Sequence, residues 1–186
     1  LNNASVQTFA RNSGLDLGQI AIFIASNNNF TKADGKRNVA AVDAWAGRAS
    51  AVLNNASVQT FARNSGLDLG QIAIFIAGNN AFIKGDHLTG GLNEKAVNNW
   101  AARAISILQS VETVKPLADF SAASGISIGK IAFTLAGNAS FVLRNGNLDT
   151  DALTKWASRG LELFGNSAVQ AFAEKSSWIR KMFEEG

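Results

Sequence analysis

Apolar residues fall in short clusters at helical spacing, separated by Asn, Gly and Asp. Val6, Phe9 and Ala10 predict a helix over residues 5–12, and an identical stretch predicts another over 57–64. An Asn pair before each can cap the free backbone N–H groups of the opening turn. In a third, diverged copy Pro116 stands in that turn, where its missing N–H costs little. Gly14, Gly66 and Gly125 tolerate positive φ, and so end the first helix and turn the chain. A second apolar block begins after Asp16, Asp68 and Ser127, reading QIAIFIA twice and KIAFTLA once. Its Ile and Phe would suit a strand, but the N-cap residue in front, the interrupting Ala and Gln and the Asn-rich turn behind predict a helix. A third helix is predicted over 39–53, 94–108 and 150–164. There Val42, Trp45 and Ala46 share one stripe, matched by Val97, Trp100 and Ala101.

These elements recur because the sequence does. Residues 1–25 and 53–77 are identical, a period of 52. The diverged copy starts near Thr113 and keeps Gly125, Ile131, Ala132, Ala136 and Asn138 in the places of Gly66, Ile72, Ala73, Ala77 and Asn79, 59 residues on. A Trp-x-x-Arg landmark returns as Trp45 and Arg48, Trp100 and Arg103, then Trp156 and Arg159. The pattern predicts an all-α fold, a helical repeat array treated as one domain over 1–186. It has three units of about 52–59 residues, about three helices each, at approximately 1–52, 53–110 and 111–165, with a C-terminal capping half unit at 166–186. One such unit buries little apolar surface alone, so neighbours are expected to stack around the Trp stripe, each buried Trp or Phe contributing about 2–3 kcal/mol. Identity over 25 positions exceeds what a shared fold requires and indicates a recent or deliberate duplication.

Composition narrows the chemistry. With 47% apolar and 17% charged residues the chain is not of the disordered class. Cysteine is absent, which excludes a disulfide framework and a Cys-ligated zinc site. His87, the single histidine, follows Asp86 in a Gly-rich loop and reads as a solvated residue rather than a base or ligand. Asp149 and Asp151 are a close carboxylate pair, but they precede a helix, where acids complement the dipole; Glu184 and Glu185 form a tail pair. No P-loop or His-x-x-x-His pair occurs. The chain therefore reads as non-enzymatic, with no catalytic residue, metal, cofactor or small-molecule substrate predicted. A net charge of +3 and a pI near 9.5 permit a polyanion partner without demanding one. No apolar run approaches the ~18 residues that would span a bilayer, and no signal region opens the sequence, so it reads as a soluble fragment of undetermined compartment.

Ala62, Gly66, Ile72 and Phe75, copied as Ala10, Gly14, Ile20 and Phe23, place a small residue against the second helix, a glycine at the turn and two core contacts beyond. The spacing resembles the helix-turn-helix of phage repressor-like DNA-binding domains over about 20 residues per unit. That resemblance implies that Gln19, Gln71 and Lys130, exposed on the second helix, enter the major groove, Gln pairing with adenine and Lys with guanine. The third unit differs in carrying Ser121 and Thr134 for the Ala and the Phe. Residues 19–28, QIAIFIASNN, and 71–80, QIAIFIAGNN, are also similar to the short helix and loop of TAL-effector-type DNA-binding repeats, and the AAVDAW helix to the Trp-bearing helix preceding them. This second likeness implies base-reading pairs at Asn27 and Asn28, Asn79 and Asn80, and Asn138 and Ala139. Asn29-Phe30, Ala81-Phe82 and Ser140-Phe141 stand where those repeats carry a glycine pair.

From the residues alone, the Asn pairs also suit helix termination with left-handed backbone. Arg48, Arg103 and Arg159 suit either helix-surface residues lying along an apolar neighbour or a row of phosphate contacts. Two other functions fit the pattern. One is a protein-interaction or self-assembly module whose apolar second helices form a groove. The other is a membrane-active, toxin-like domain using the amphipathic Phe172, Trp178, Ile179, Met182 and Phe183, although a membrane partner is disfavoured.

Overall fold

In the computed structural model, which describes residues 3–175, ten helices and one two-stranded ribbon follow each other in a recurring order. Helix α1 (Ala4–Ser13) starts at Asn3, whose side chain accepts from the Val6 N–H at 2.9 Å, and ends on Gly14 at φ +72°. Helix α2 (Leu17–Ser26) is capped by Asp16, which accepts from the N–H groups of Gly18 and Gln19. A 3-10 turn, Asn28–Phe30, and a single antiparallel bridge between Thr31 and Arg37 lead into α3 (Val39–Leu53).

The succession returns with α4 (Ala56–Ser65), α5 (Leu69–Gly78), the 3-10 turn Asn80–Phe82, and the ribbon β1 (Ile83–Lys84) and β2 (Gly91–Leu92), which pairs Ile83 with Leu92. Helix α6 (Glu94–Ser110) follows. It returns once more with α7 (Lys115–Ser124), α8 (Ile128–Leu135), the turn Ala139–Phe141, a bridge between Val142 and Leu148, and α9 (Thr150–Phe164). Helix α10 (Ser167–Lys175) closes the described chain.

Helix positions agree with the sequence expectation, and short-range chemistry recurs at their ends, although α7 opens with Pro116 in its first turn and no side-chain cap. Asp68, Ser127 and Asp149 cap α5, α8 and α9 as N-cap residues, and Gly125 takes φ +71° after α7. The 3-10 turns and ribbon are additions to the predicted three-helix unit. Each turn drives one ring into the core, Phe30, Phe82 and Phe141 all being buried.

Contacts divide the chain into two compact bodies, one of Leu1–Arg63 and Leu67–Asn98, the other of Asn64–Gly66 and Asn99–Gly186. In the first, α3 packs against α1 and α5. Trp45 is fully buried there, its ring 5.5 Å from Phe9, 5.3 Å from Phe23 and 5.9 Å from Phe30 between centroids. In the second, α7 packs against α9, and Phe120 meets Trp156 at 4.9 Å and Phe164 at 5.7 Å, all edge-on. Trp100 of α6 meets Phe133 of α8 at 5.6 Å. Among the described residues, no helix is long and apolar enough to cross a membrane.

Candidate functional site

Arg48 follows Trp45 by three residues on α3, so both side chains share one helix face. Its Nε donates to the carbonyl of Ala77 at 3.0 Å, and Nη1 donates to the carbonyls of Gly90 at 2.6 Å and Leu88 at 3.5 Å. Ala77 lies in the last turn of α5, where carbonyls have no partner within the helix and the dipole is negative, so a cation is matched there without a carboxylate. The loop that presents the Gly90 carbonyl needs a glycine at that position, because a Cβ there would collide with the carbonyls of Lys84 and Asp86. Arg48 is only 4% exposed. Burial pulls its pKa below the usual arginine value, and the guanidinium remains charged at neutral pH.

The same bond forms again one repeat later. Arg103 Nε on α6 donates to the carbonyl of Ala136, at the end of α8, at 2.9 Å. Arg103 is half-buried and its pKa is likewise lowered by desolvation. Arg159 holds the equivalent position on α9, but it is exposed and makes no hydrogen bond or ion pair among the described residues. The three arginines therefore do not form one solvent-facing row. Two of them grip main-chain carbonyls.

The other candidate residues lie on α2, α5, α8 and the turns behind them. Gln19, Gln71 and Lys130 are each the third residue of their helix, with side chains exposed. Their backbone N–H groups bond to the caps Asp16, Asp68 and Ser127 at 3.1, 2.8 and 3.3 Å. Asn27, Asn79 and Asn138 each accept, through Oδ1, from the N–H two residues on, at 3.0, 3.0 and 2.9 Å. Their φ values of −105°, −99° and −92° are extended, which corrects the left-handed expectation: the side-chain bond turns the chain without positive φ. Asn28 and Asn80 open the 3-10 turns with exposed side chains.

Phe75, expected as a core contact, is 43% exposed, and Phe23 is half-buried. The buried stripe of α5 runs through Ile72, Ala73, Ile76 and Ala77, one step around the helix from Phe75. Asp149 is the N-cap of α9, accepting from the Ala152 N–H at 2.9 Å, as its position before a helix implied. Trp178, Ile179, Met182, Phe183, Glu184 and Glu185 lie outside the described residues, as does the side chain of Phe172.

Identical sequence meets different surroundings in α2 and α5, which share the letters LGQIAIFIA. In α5 one face is covered. Ala73 and Ala77 have no exposure, and Gly70 lies so near Leu15 that a Cβ would stand 2.8 Å from its side chain. In α2 the same face is open, with Gly18 and Ala25 exposed and Ile22 at 69%. Helix α3, which packs on α5, has its counterpart in α9, where a matching position is uncovered. Val52 on α3 and its equivalent Ile107 on α6 are fully buried, whereas Leu163, at the same place on α9, is 57% exposed.

Sequence reasoning singled out the arginines but not their acceptors, since Ala77, Gly90 and Ala136 take part through main-chain oxygens and carry no side-chain signature. One signal was present: Gly18, Gly70 and Gly129 recur at the second helical position, where glycine is costly unless something packs close. Ser65 O lies 2.6 Å from where a Cβ of Gly129 would stand. Comparison with protein-family models, curated proteins and solved structures gave no match.

Proposed function

We propose that this chain is a non-enzymatic helical-repeat scaffold that binds a protein partner through surface its repeats leave open. The observation that supports this reading is the twice-made arginine bond: Arg48 to Ala77 O and Arg103 to Ala136 O link the third helix of one repeat to the second helix of the next. A joint made the same way twice is what an array of stacked repeats would use. Arg48 and Arg103 are engaged by carbonyls rather than offered to phosphates, while Ile22, Val39, Phe75 and Leu143 face solvent, which favours a polypeptide ligand over a polyanion. The test is selection from displayed amphipathic helical peptides against the full chain. Peptides should be enriched whose binding is lost with Phe75→Glu. Recovery of none, in a chain that binds duplex DNA in about 0.1 M salt, overturns the reading.

A DNA-binding reading keeps one observation in its favour: Gln19, Gln71 and Lys130 are exposed at the same place on three successive second helices. It requires duplex binding that weakens as salt rises and is abolished when all three become Ala. Binding unaffected by the triple substitution removes it.

A further inference from the structure

We infer that the chain associates head to tail with a second copy of itself, α9 of one copy seating on α2 of the next as α3 seats on α5. The inference rests on the repeat-scaffold reading and names a partner for it. What identifies the occupant of the open α2 face is the chain's own sequence. Helix α5 carries the same nine residues, LGQIAIFIA, and in this molecule it is covered by α3. A surface identical to one already mated is complementary to the helix that mates it.

The counterpart helix with an uncovered face is α9. It keeps the landmark as Trp156, Ala157 and Arg159, for Trp45, Ala46 and Arg48. Trp156 is half-buried where Trp45 and Trp100 are fully buried, and Leu163 is exposed where Val52 and Ile107 are enclosed. Transferring the internal contacts gives the joint. Arg159 reaches the carbonyl of Ala25, the equivalent of Ala77, which accepts no hydrogen bond among the described residues. Ile22 lands on Trp156, because Phe133 at the equivalent place on α8 meets Trp100 at 5.6 Å.

On the α2 side of the joint one residue differs, Ser26 standing where Gly78 and Gly137 lie against Trp45 and Trp100, and on the other side Thr134 takes the place of Phe23. A Cβ at Gly78 would sit 3.6 Å from Phe23 and 3.9 Å from Trp45 Nε1, ordinary contact distances, so the serine is accommodated. Trp45 Nε1 is buried with no hydrogen-bond partner. Ser26 would give Trp156 Nε1 an oxygen that Trp45 lacks. The two faces differ, so the contact is heterologous and leaves a free α2 and a free α9 at the ends of each dimer.

Sedimentation equilibrium of the full chain tests this. The apparent mass should rise with concentration beyond one chain. Ile22→Glu and Leu163→Glu, both at exposed positions, should each weaken association about tenfold or more, as should Arg159→Ala through loss of a charge-assisted bond. Mixing Ile22→Glu with Leu163→Glu should restore a complex that stops at two chains, since one retains a working α9 and the other a working α2. Far-UV circular dichroism and melting confirm that each variant is folded, and Arg159→Ala serves if a glutamate variant is not. A wild-type monomer at every concentration overturns the inference, as does association indifferent to these variants or a mixture that recovers nothing. A monomer that still selects helical peptides loses only this inference, whereas a growing mass with no peptide selected loses only the protein-ligand reading.

Discussion

Replacing Arg48 with Ala removes a buried cation and leaves the carbonyls of Ala77 and Gly90, accepting at 3.0 and 2.6 Å, without their donor. Hydrogen bonds to a charged group contribute about 1.5–3 kcal/mol each. Part of that sum is offset because a guanidinium no longer has to be desolvated, and a few tenths of a kcal/mol return from the better helix propensity of Ala, for a net loss of about 2–4 kcal/mol. Arg103 makes one such bond, at 2.9 Å, from a half-buried position. Its replacement should cost about 1–2 kcal/mol. Arg159→Ala should stay within about 0.5 kcal/mol, as for an exposed residue without partners. In a chain of this size about 2–4 °C of melting temperature corresponds to each kcal/mol, so calorimetry on dilute protein should place Arg48→Ala about 5–15 °C below wild type. Arg48→Lys should fall between, because an ammonium keeps the charge but lacks the fork that reaches α5 and the ribbon loop together. Equal losses at Arg48 and Arg159, or a loss at Arg48 within about 0.5 kcal/mol, would refute the clamp.

Two further outcomes can be measured directly. Gly47 lies on an exposed face of α3 with open space where a Cβ would stand, so Gly47→Ala should stabilise by up to about 1 kcal/mol, whereas Gly129→Ala sets a Cβ 2.6 Å from the backbone oxygen of Ser65 and should destabilise by about 1–3 kcal/mol. Calorimetry giving the same sign for both would contradict the packing described. In the ribbon loop, the N–H of Thr89 above all, then its hydroxyl and the N–H of Leu88, hold the Asp86 carboxyl below its ordinary value. A carboxylate depressed in the fold contributes stability above its unfolded value and loses it as pH falls through the folded one. The amide signals of Leu88 and Thr89 should therefore titrate at lower pH than those beside a free aspartate, and Asp86→Asn should flatten the response; titration in or above the ordinary range is the contrary result.

Local chemistry made most of the helical framework legible. The caps Asp16, Asp68 and Ser127 and the turns at Gly14, Gly66 and Gly125 act over two to four residues, so they can be read from letters alone. The Trp45 stripe was legible for the same reason, through helical periodicity. The 3-10 turns were not, because an Asn side chain bonding to the N–H two residues on leaves no period in the sequence. The bridges behind them did leave a signal: Asp34-Gly35 and Asn145-Gly146 are hairpin dipeptides, and Gly35 and Gly146 take φ +78° and +86°. Arg48 shows the limit most clearly. Its recurrence was visible, but whether it faces water or a carbonyl depends on Ala77 and Gly90, 29 and 42 residues away. Gly18 and Gly70 show it again, since one stretch of letters is open in α2 and enclosed in α5.

A joint that closes on a main-chain oxygen is indifferent to which side chain that residue bears. The third copy has exchanged QIAIFIA for KIAFTLA, yet Arg103 still finds its acceptor at the end of α8. Mutation can therefore rewrite the letters of a repeat while the coupling persists, even though α5 runs one residue past its acceptor Ala77 and α8 stops one residue short of Ala136. The third copy differs from the first two at many positions, and the coupling tolerates that difference.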